Sequence, residues 1–304
     1  MKKRILVRAA VCTLSALICA VSVPASAAES GVMTFRMSAE KTYLTASSLA
    51  DADAVIPGGM YIDRYTGISY MKLRMKSDAP LILENADFTR DPNRTEQDGT
   101  ETVAKPCYFV SHGSTTFTQY SEETGALMNT ALWYGPGAVF PEAGVVENPE
   151  SSFLRFDVRV PQGTAPGVYK LYLSREDVIL SSGIHLPDME VRDGNNQEIT
   201  VPCEDCEIIV EPAALRGDAD CDGKITVLDA QTVLRYYGDV VVAQREQTEE
   251  MLRQSLQTPY IHTSLEAANV DSKGDAGLED AMAILRYAGN LNSGIETSWD
   301  ACIR

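Results

Sequence analysis

The chain has 304 residues, and its 43 acidic residues against 26 basic ones give a formal charge of −17 at neutral pH. An acidic surface repels phosphate groups, so the composition argues against nucleic acid and anionic membranes as partners. Beyond the N-terminus, no apolar run is long enough to span a bilayer.

Residues 1–27 have the composition of a secretory signal peptide. Basic residues at positions 2–4 precede an apolar run from Ile5 to Val23, and Ala25-Ser26-Ala27 offers small residues to a signal peptidase. We expect cleavage after Ala27 and a soluble secreted protein. Losing four basic residues would take its charge to about −21. Cys19 follows Ile18 rather than a small residue, which argues against a lipid-anchored start.

Residues 28–212 have the sequence pattern of an all-β domain, and their number is sufficient to bury one core. From Ile68 to Met75 the side chains alternate between two faces, with Met71 and Leu73 on the more apolar one, and this pattern predicts a half-buried strand. Further strands are predicted at 34–37, 81–88, 107–110, 115–120, 131–134, 153–160, 168–173 and 208–210.

Turn signals separate the predicted strands, among them Pro57-Gly58-Gly59, Gly135-Pro136-Gly137 and Pro166-Gly167. The stretches 90–104 and 176–188 are polar, and we predict long loops there. Many short strands joined by such turns are typical of a β-sandwich or jelly roll.

Two segments of this domain, Gly67–Phe88 and Phe153–Ser174, each read as two strands around a short turn, and both resemble parts of the cohesin module of cellulosome scaffold proteins. Phe153–Ser174, FLRFDVRVPQGTAPGVYKLYLS, is similar to the late strand pair, in which a Pro-Gly turn leads into a Gly-x-Tyr strand. Gly67–Phe88 is similar to an early segment with two strands around a short turn. The resemblance implies a sheet face that receives a dockerin module. Generic β-sandwiches, carbohydrate-binding ones included, share this pattern and are the alternative.

The sequence gives no positive sign of catalysis. It lacks a G-x-S-x-G nucleophile turn, although so acidic a domain is compatible with the paired carboxylates of glycoside hydrolysis. His112 and His185 are interpreted as loop residues rather than catalytic bases. Aromatic residues available as sugar platforms are Trp133, Tyr61, Tyr65, Tyr70, Tyr108, Tyr120 and Tyr134, of which Tyr70 and Tyr134 are interpreted first as strand packing.

Five cysteines remain after the signal peptide: Cys107, Cys203, Cys206, Cys221 and Cys302. An odd number cannot pair completely within one chain. For Cys203 and Cys206 a structural disulfide or inert thiols are favoured, because a zinc site would need more ligands and a redox pair would start a helix. We hypothesise that Cys221 and Cys302 form a clasp between the ends of the C-terminal module.

The segment GDADCDGKITVLDAQTVLRYYG, residues 217–238, spaces hard oxygen ligands as a calcium-binding loop does. Four carboxylates stand at loop positions one, three, five and twelve: Asp218, Asp220, Asp222 and Asp229. Gly223 supplies the bend, the Lys224 carbonyl would coordinate the ion, and Thr226 would reach it directly or through water. Ile225 would point inward to the core. A solvated acidic turn is the alternative, but it needs neither the closing carboxylate nor the following helix.

The loop occurs twice, and the second copy is degraded. Residues 226–239 align with residues 277–290, so that Asp229 matches Asp280. The predicted ligands of the second loop are Asn269, Asp271 and Asp280. Lys273 stands where the fifth position needs a ligand, and an ammonium group has no lone pair to offer. We therefore predict one tight and one weak calcium site.

Each loop is predicted to lead into an amphipathic helix. Apolar stripes are expected from Val233, Leu234 and Tyr237 in the first helix, and from Met282, Ile284 and Leu285 in the second. Neither helix is expected to follow a matching helix, as an EF-hand would require. The loops start 51 residues apart, and the stretch AQREQTEEMLRQSLQ between them is predicted to form one solvated helix ended by Pro259.

This order of loop, helix, spacer, loop and helix resembles the dockerin module of cellulosome proteins over residues 213–304. The resemblance implies two bound calcium ions and tight docking onto a cohesin module of a scaffold protein. It also implies contact residues near each loop end and on each helix: Val227, Leu228 and Arg235, and then Leu278, Glu279 and Arg286. Burial of Val227 and Leu228 in the core is the alternative.

We therefore expect a secreted, noncatalytic cellulosome component with a signal peptide at 1–27, a β-sandwich at 28–212 and an all-α dockerin at 213–304. A hinge is expected from Glu211 to Arg216. If the sandwich is a cohesin, the chain is an adaptor scaffoldin that binds a scaffold cohesin and receives another dockerin. The alternatives are a carbohydrate-binding module for plant cell-wall polysaccharide or a small polysaccharide-degrading enzyme.

Overall fold

A computed structural model describes residues 33–303 except 65–67, 69, 89, 99–100, 107–114, 117–119, 122–125, 134–151, 177, 180, 184 and 187–188. The predicted signal peptide and the strand at 107–110 lie outside the described residues, as do Tyr65, Cys107, Tyr108, His112 and Tyr134. Tyr120, Trp133 and His185 lie in strands, and only their backbone is described.

The described strands are β1 (Thr34–Ala39), β2 (Tyr43–Thr45), β3 (Ala54–Asp63), β4 (Tyr70–Ser77), β5 (Ile82–Phe88), β6 (Arg90–Asp98), β7 (Glu101–Pro106), β8 (Thr115–Thr116), β9 (Tyr120–Ser121), β10 (Ala126–Trp133), β11 (Leu154–Val160), β12 (Gly167–Leu173), β13 (Val178–Ile179), β14 (His185–Leu186), β15 (Glu190–Arg192), β16 (Cys203–Glu204) and β17 (Cys206–Glu211). Sheet A has the order β16-β1-β3-β11-β5. Sheet B has the order β2-β17-β12-β4-β10-β8, with β15 beside β4 and β9 beside β10.

Both sheets are mixed, because β1 runs parallel to β16 and β2 runs parallel to β17. Their inner faces share one apolar core, to which sheet A contributes Phe35 and Phe156 and sheet B contributes Met71 and Ile208. Met71, Leu73 and Met75 are buried in this core, as their alternation predicts. The predicted β-sandwich is confirmed.

Several local predictions were wrong. Pro57-Gly58-Gly59, expected as a turn, lies inside β3, where Phe156 of β11 packs so closely that a Cβ at Gly58 would overlap its ring. The expected loop at 90–104 is instead part of a hairpin of β6 and β7. His185, expected in a loop, lies in β14 and pairs with Ile179.

The C-terminal part is helical, with α1 (Val227–Tyr236), a π-helical extension (Tyr237–Val242), α2 (Glu249–Leu256), α3 (Ile261–Ala268), α4 (Leu278–Asn292) and α5 (Trp299–Cys302). The helix predicted in the spacer between the loops is present as the shorter α2, and α3 is a second helix that was not predicted. Thr248 caps α2 by accepting a hydrogen bond from the Met251 N–H, and Gln257 in the left-handed region ends it. None of the described helices is both long and apolar enough to cross a membrane.

Helices α1 and α4 pack against each other around a second apolar core, in which Val233 and Ile284 are buried. Leu234 and Leu285, expected on the same stripes, are exposed. Neighbouring residues on an α-helix lie about 100° apart, so each such pair divides between the buried face and the exposed one. Helix α3 runs directly into the second loop, so this loop, unlike the first, follows a helix that was not predicted.

The expected hinge at 211–216 is fastened to α3 and the residues around it. The Thr263 hydroxyl donates to the Pro212 carbonyl at 2.9 Å, and the Arg216 guanidinium donates to the Val270 carbonyl. Just beyond, the Gly217 N–H donates to the Ala267 carbonyl at 2.8 Å. These bonds satisfy backbone groups that a free linker would leave to water.

Candidate metal centre

The first loop gathers the side chains of Asp218, Asp220 and Asp222, which present oxygen atoms within 4.8 Å of one another. The loop closes around Asp218, because its two carboxylate oxygens accept the N–H groups of Asp222 at 3.0 Å and Gly223 at 2.9 Å. Gly223, with a φ of +85°, makes the bend that its sequence position predicts. The Lys224 N–H bonds to the Asp222 carboxylate at 2.8 Å, and the Lys224 side chain is exposed.

Asp229 joins the loop to α1. It is fully buried, and its two oxygens accept the Asp220 N–H at 3.2 Å and the Thr226 N–H at 2.7 Å. Thr226 in turn accepts the Leu228 N–H at 3.0 Å, which completes a capping box at the start of the helix. A carboxylate has about four lone-pair sites, so Asp229 can hold these bonds and still offer an oxygen to a cation.

The loop is electrostatically strained without a cation. Burial and the neighbouring carboxylates of Asp229, Asp222 and Asp218 raise the pKa of Asp220 to about 6. Burial and Asp229 likewise raise the pKa of Asp218, against the hydrogen bonds from the loop backbone. Several hard oxygen donors around one point, with two of them, Asp218 and Asp220, disfavoured as anions, fit a hard divalent cation such as calcium.

The second loop repeats the same backbone arrangement. Asp280 accepts the Asp271 N–H at 3.0 Å and the Gly277 N–H at 2.9 Å, as Asp229 accepts its own two donors. Left-handed residues recur at matching places, with Cys221 and Ser272 at φ values of 59° and 57°. Lysine at the fifth position therefore leaves the path of the loop intact.

The ligand set of the second loop is poorer. Lys273 occupies the fifth position, and its ammonium lies 3.6 Å from an Asp271 oxygen, where it competes with a metal for that carboxylate. The Asn269 amide donates to the Gly274 carbonyl at 2.7 Å, while its oxygen is buried with no hydrogen-bond partner. Within the described part of the chain, a cluster of three or more His, Cys, Asp or Glu side chains occurs in the first loop and not in the second. The side-chain oxygen of Asn269 is thus a free donor that a cation could use.

The residues expected to contact a partner protein lie on the surface next to the loops. Val227 is 38% exposed and Leu228 is 57% exposed, so the alternative that they belong to the core is wrong. Leu278 is 43% exposed and Glu279 is exposed at the start of α4. Met282 adds to the exposed apolar surface of this helix. Sequence reasoning placed Met282 on an apolar stripe but gave it no contact role.

The two arginines expected at the partner surface are both tied to carbonyl groups. Arg235 is half-buried and donates to the Ser255 carbonyl of α2 at 3.4 Å, whereas Arg286 is exposed and donates to the Cys302 carbonyl at 2.9 Å. Arg286 is therefore the more accessible of the two.

The four described cysteines are free thiols, so neither the Cys203–Cys206 disulfide nor the Cys221–Cys302 clasp is present. Burial, with Asp205 nearby, raises the pKa of Cys203 to about 12, and burial raises that of Cys206 to about 11. Thiols with such high pKa values are poor nucleophiles and metal ligands at neutral pH, which favours the inert-thiol alternative.

The two ends of the helical module meet through Trp299 instead of a disulfide. Its ring stacks on Tyr287 with centroids 4.1 Å apart, and it lies against Gly217, where a Cβ would overlap the ring. The Arg216 guanidinium lies 5.4 Å from the ring centroid. Sequence analysis missed Trp299, and its one signal was a tryptophan isolated in an otherwise polar C-terminus.

The sandwich carries a separate concave site on the outer face of sheet A, with a volume of about 440 Å³. Its floor is the part of β3 that lacks large side chains, Pro57 to Gly59, and Tyr61, Arg155 and Asp157 flank it. The Asn85 amide donates to Asp157 at 2.9 Å. Its lining includes two aromatic residues, Tyr61 and Phe156, and charged side chains of both signs.

No family model matches the chain, and no curated protein matches it. Among solved structures, the chain is similar to the seventh ScaB type I cohesin from Pseudobacteroides cellulosolvens, with 15% identity, coverage of 60% of this chain and 95% of that one, and a TM-score of 0.33. The third ScaB cohesin of R. flavefaciens, in complex with a group 1 dockerin, has 17% identity over 59% of this chain and 94% of that one, with a TM-score of 0.35. A type III cohesin module from the ScaE cell-surface anchoring scaffoldin of Ruminococcus flavefaciens has 14% identity over 61% of this chain and 91% of that one, with a TM-score of 0.34. Similarity this low assigns neither a fold nor a function.

Proposed function

We propose that the C-terminal loop–helix pair is a calcium-organised docking module of the dockerin type, which attaches this secreted chain to a cohesin module of a scaffold protein. The observation that carries the proposal is the cluster of Asp218, Asp220 and Asp222 leading into a helix capped by Asp229. The cluster explains the need for calcium, and the helix explains how the ion would act on a protein partner.

The apolar contact residues follow the loop directly, so ordering the loop orders the contact surface. A bound calcium ion would neutralise the loop carboxylates and so stabilise the folded loop. Thr226 and Asp229 then hold the first turn of α1, and this turn presents Val227 and Leu228 to the solvent. Exposed leucine and valine side chains at a fixed helix start form an apolar anchor that a partner can bury.

The second loop plays a smaller part in this proposal. Asp271 and Asp280 keep its shape, but Lys273 removes one ligand, so we propose one tight calcium site and one weak one. The start of α4 still presents Leu278, and Glu279 adds a charge beside it. Docking through α1 therefore depends on calcium more strongly than docking through α4.

The docking proposal is tested by capture of the full chain on a panel of immobilised cohesins, with calcium and with EDTA. Leu228→Asp is expected to weaken capture by about tenfold or more, because it places a charge in a desolvated contact, while calcium affinity measured by isothermal titration stays unchanged. Val242→Asp is the matched control, since Val242 is equally apolar and is exposed beyond the end of α1. Capture that persists in EDTA and in Leu228→Asp would refute the proposal.

For the sandwich we propose a noncatalytic receptor role, in which the outer face of sheet A binds a dockerin of another protein. The chain would then be an adaptor scaffoldin. The cavity over Pro57 to Gly59 supports this role, because a surface without large side chains admits the close approach of a partner helix. Arg155 and Asp157 beside it offer both charges for orienting that partner.

The receptor role is tested by applying Asp222→Ala protein to immobilised dockerins and to insoluble plant polysaccharide. This variant should have lost calcium-dependent docking through its own helical module. Dockerin capture that Arg155→Glu abolishes and that Lys170→Glu on β12 leaves intact would support the proposal. Retention on polysaccharide alone would make the sandwich a carbohydrate-binding module. Release of reducing sugar would make it a hydrolase.

A further inference from the structure

The two spacer helices contact the back of the sandwich through β17. Alternate residues of this strand, Cys206, Ile208 and Val210, enter the sandwich core, so Glu207, Ile209 and Glu211 face outward. Ile209 is nevertheless only 4% exposed. An apolar residue on the outer face of a sheet is buried only if another element covers it.

Charged groups of β17 on this outward side bind both α2 and α3. Glu207 pairs with Arg253 of α2 at 3.1 Å. Glu211 is 1% exposed, and its carboxylate accepts the His262 and Thr263 N–H groups at 3.2 and 3.1 Å at the start of α3. Its oxygen also lies 3.1 Å from the His262 ring, which stacks on Tyr43 of β2 with centroids 3.7 Å apart.

The carboxylate of Glu211 is suited to this position. The first N–H groups of a helix have no partner within the helix and favour a negative charge. Burial raises the pKa of Glu211, but the hydrogen bonds from His262 and Thr263 outweigh burial, and the pKa lies below its ordinary value. A buried carboxylate that keeps its charge in this way is costly to leave without its partners.

The same helix contacts both calcium loops. The Ser264 hydroxyl donates to the Ala219 carbonyl, and the Ala267 carbonyl accepts the N–H of Gly217, so α3 supports the entry of the first loop. Asn269, the first residue of the second loop, directly follows α3. One short helix thus connects the sandwich to both metal loops.

We infer that α2 and α3 lock the loop–helix pair onto the back of sheet B, so that the chain is a rigid connector whose two binding faces point in different directions. The interface also gives the long spacer a role, since the residues that separate the loops form it. That the two faces bind partner proteins rests on the proposed function, but the rigid attachment of the helices to the sandwich does not.

Two consequences follow for binding. The helices are held at β17 of sheet B, whereas the cavity over Pro57 to Gly59 lies on sheet A, so two partners can bind at once. Because α3 contacts the first loop and the sandwich, calcium binding and attachment to the sandwich stabilise each other. Such coupling is reciprocal by thermodynamic necessity.

The test measures the tumbling of the full chain with calcium by ¹⁵N relaxation, together with its calcium affinity by titration. The wild type is expected to give one correlation time for the sandwich and the helices. In Glu211→Gln the helices are expected to tumble separately, cleavage by a protease at 212–216 to begin, and calcium affinity to fall about fivefold or more. Glu266→Gln, an exposed position on α3, is the matched control and should behave as the wild type.

His262→Phe provides a second variant, because it keeps an aromatic ring for stacking on Tyr43 and removes the ring nitrogen bonded to Glu211. It should weaken attachment less than Glu211→Gln while leaving the circular dichroism of the helices unchanged. Two independent correlation times in the wild type would overturn the inference, as would unchanged tumbling and calcium affinity in Glu211→Gln. Partner capture is not a readout, so failure of the proposed function would leave these results standing.

Discussion

The two loop–helix units share a scaffold and differ in their ligands. In both, a buried aspartate accepts two loop N–H groups and fixes the start of the helix, with Asp229 in the first unit and Asp280 in the second. The first unit adds three clustered carboxylates, whereas Lys273 interrupts the second. The capping aspartate fixes the path of the loop in both units, and we propose that the residues at positions one, three and five decide whether a cation binds.

This separation explains how a degraded loop can persist. In the second unit the Lys273 ammonium pairs with Asp271 and supplies within the chain part of the positive charge that a metal would bring. The exposed Leu278 and Met282 of α4 then remain in place whether or not calcium is present. Each unit presents an apolar helix surface, and we expect only the first to depend strongly on the ion.

The largest expected effect comes from removing a ligand of the first loop. Asp222→Ala should lower the affinity of the tight site by on the order of 100-fold, since calcium affinity follows the number of charged ligands. Cohesin capture should fall with it. Isothermal titration of the full chain measures the affinity, and Lys273→Ala, at the matching position of the second loop, should leave the tight site unchanged. Two equivalent tight sites in the wild type would contradict the prediction that only the first loop binds calcium tightly.

A smaller effect should run in the opposite direction. Lys273→Asp restores a carboxylate at the fifth position and removes the competing ammonium, so the second loop should gain about tenfold or more in calcium affinity. Titration would then resolve two tight sites instead of one. Lys273→Ala separates the two causes, because it removes the ammonium without adding a ligand. No gain in Lys273→Asp would mean that Asn269, rather than Lys273, limits the second site.

Sequence spacing predicted the first loop because its ligands are neighbours in the chain. The attachment of α3 could not be found in this way, since Glu211 and Thr263 are far apart in sequence and a glutamate before a proline is typical of a linker. Pro57 to Gly59 was taken for a turn for a similar reason. The ring that covers Gly58 belongs to a distant strand. Contacts between distant residues override local propensity, and a single sequence does not display them.

The smallest expected effect tests whether the two loops have the same backbone conformation. Gly223 and Gly274 have φ values of +85° and +69°, and a Cβ at either would meet no atom within 4 Å. Gly223→Ala and Gly274→Ala should therefore each lower the free energy of unfolding in EDTA by about 1–2 kcal/mol, the cost of a left-handed residue with a side chain.

Denaturant unfolding of the full chain measures both losses, and Gly289→Ala is the matched control. Gly289 lies inside α4 with open space around it and an ordinary φ, so alanine there should raise the free energy of unfolding by about 0.5–1 kcal/mol. Equal losses of unfolding free energy in the two variants would mean that the two loops share a backbone conformation and differ only in their metal ligands. A loss at Gly223 without one at Gly274 would mean that the second loop relaxes to another path, and the shared scaffold would then not explain its weaker site.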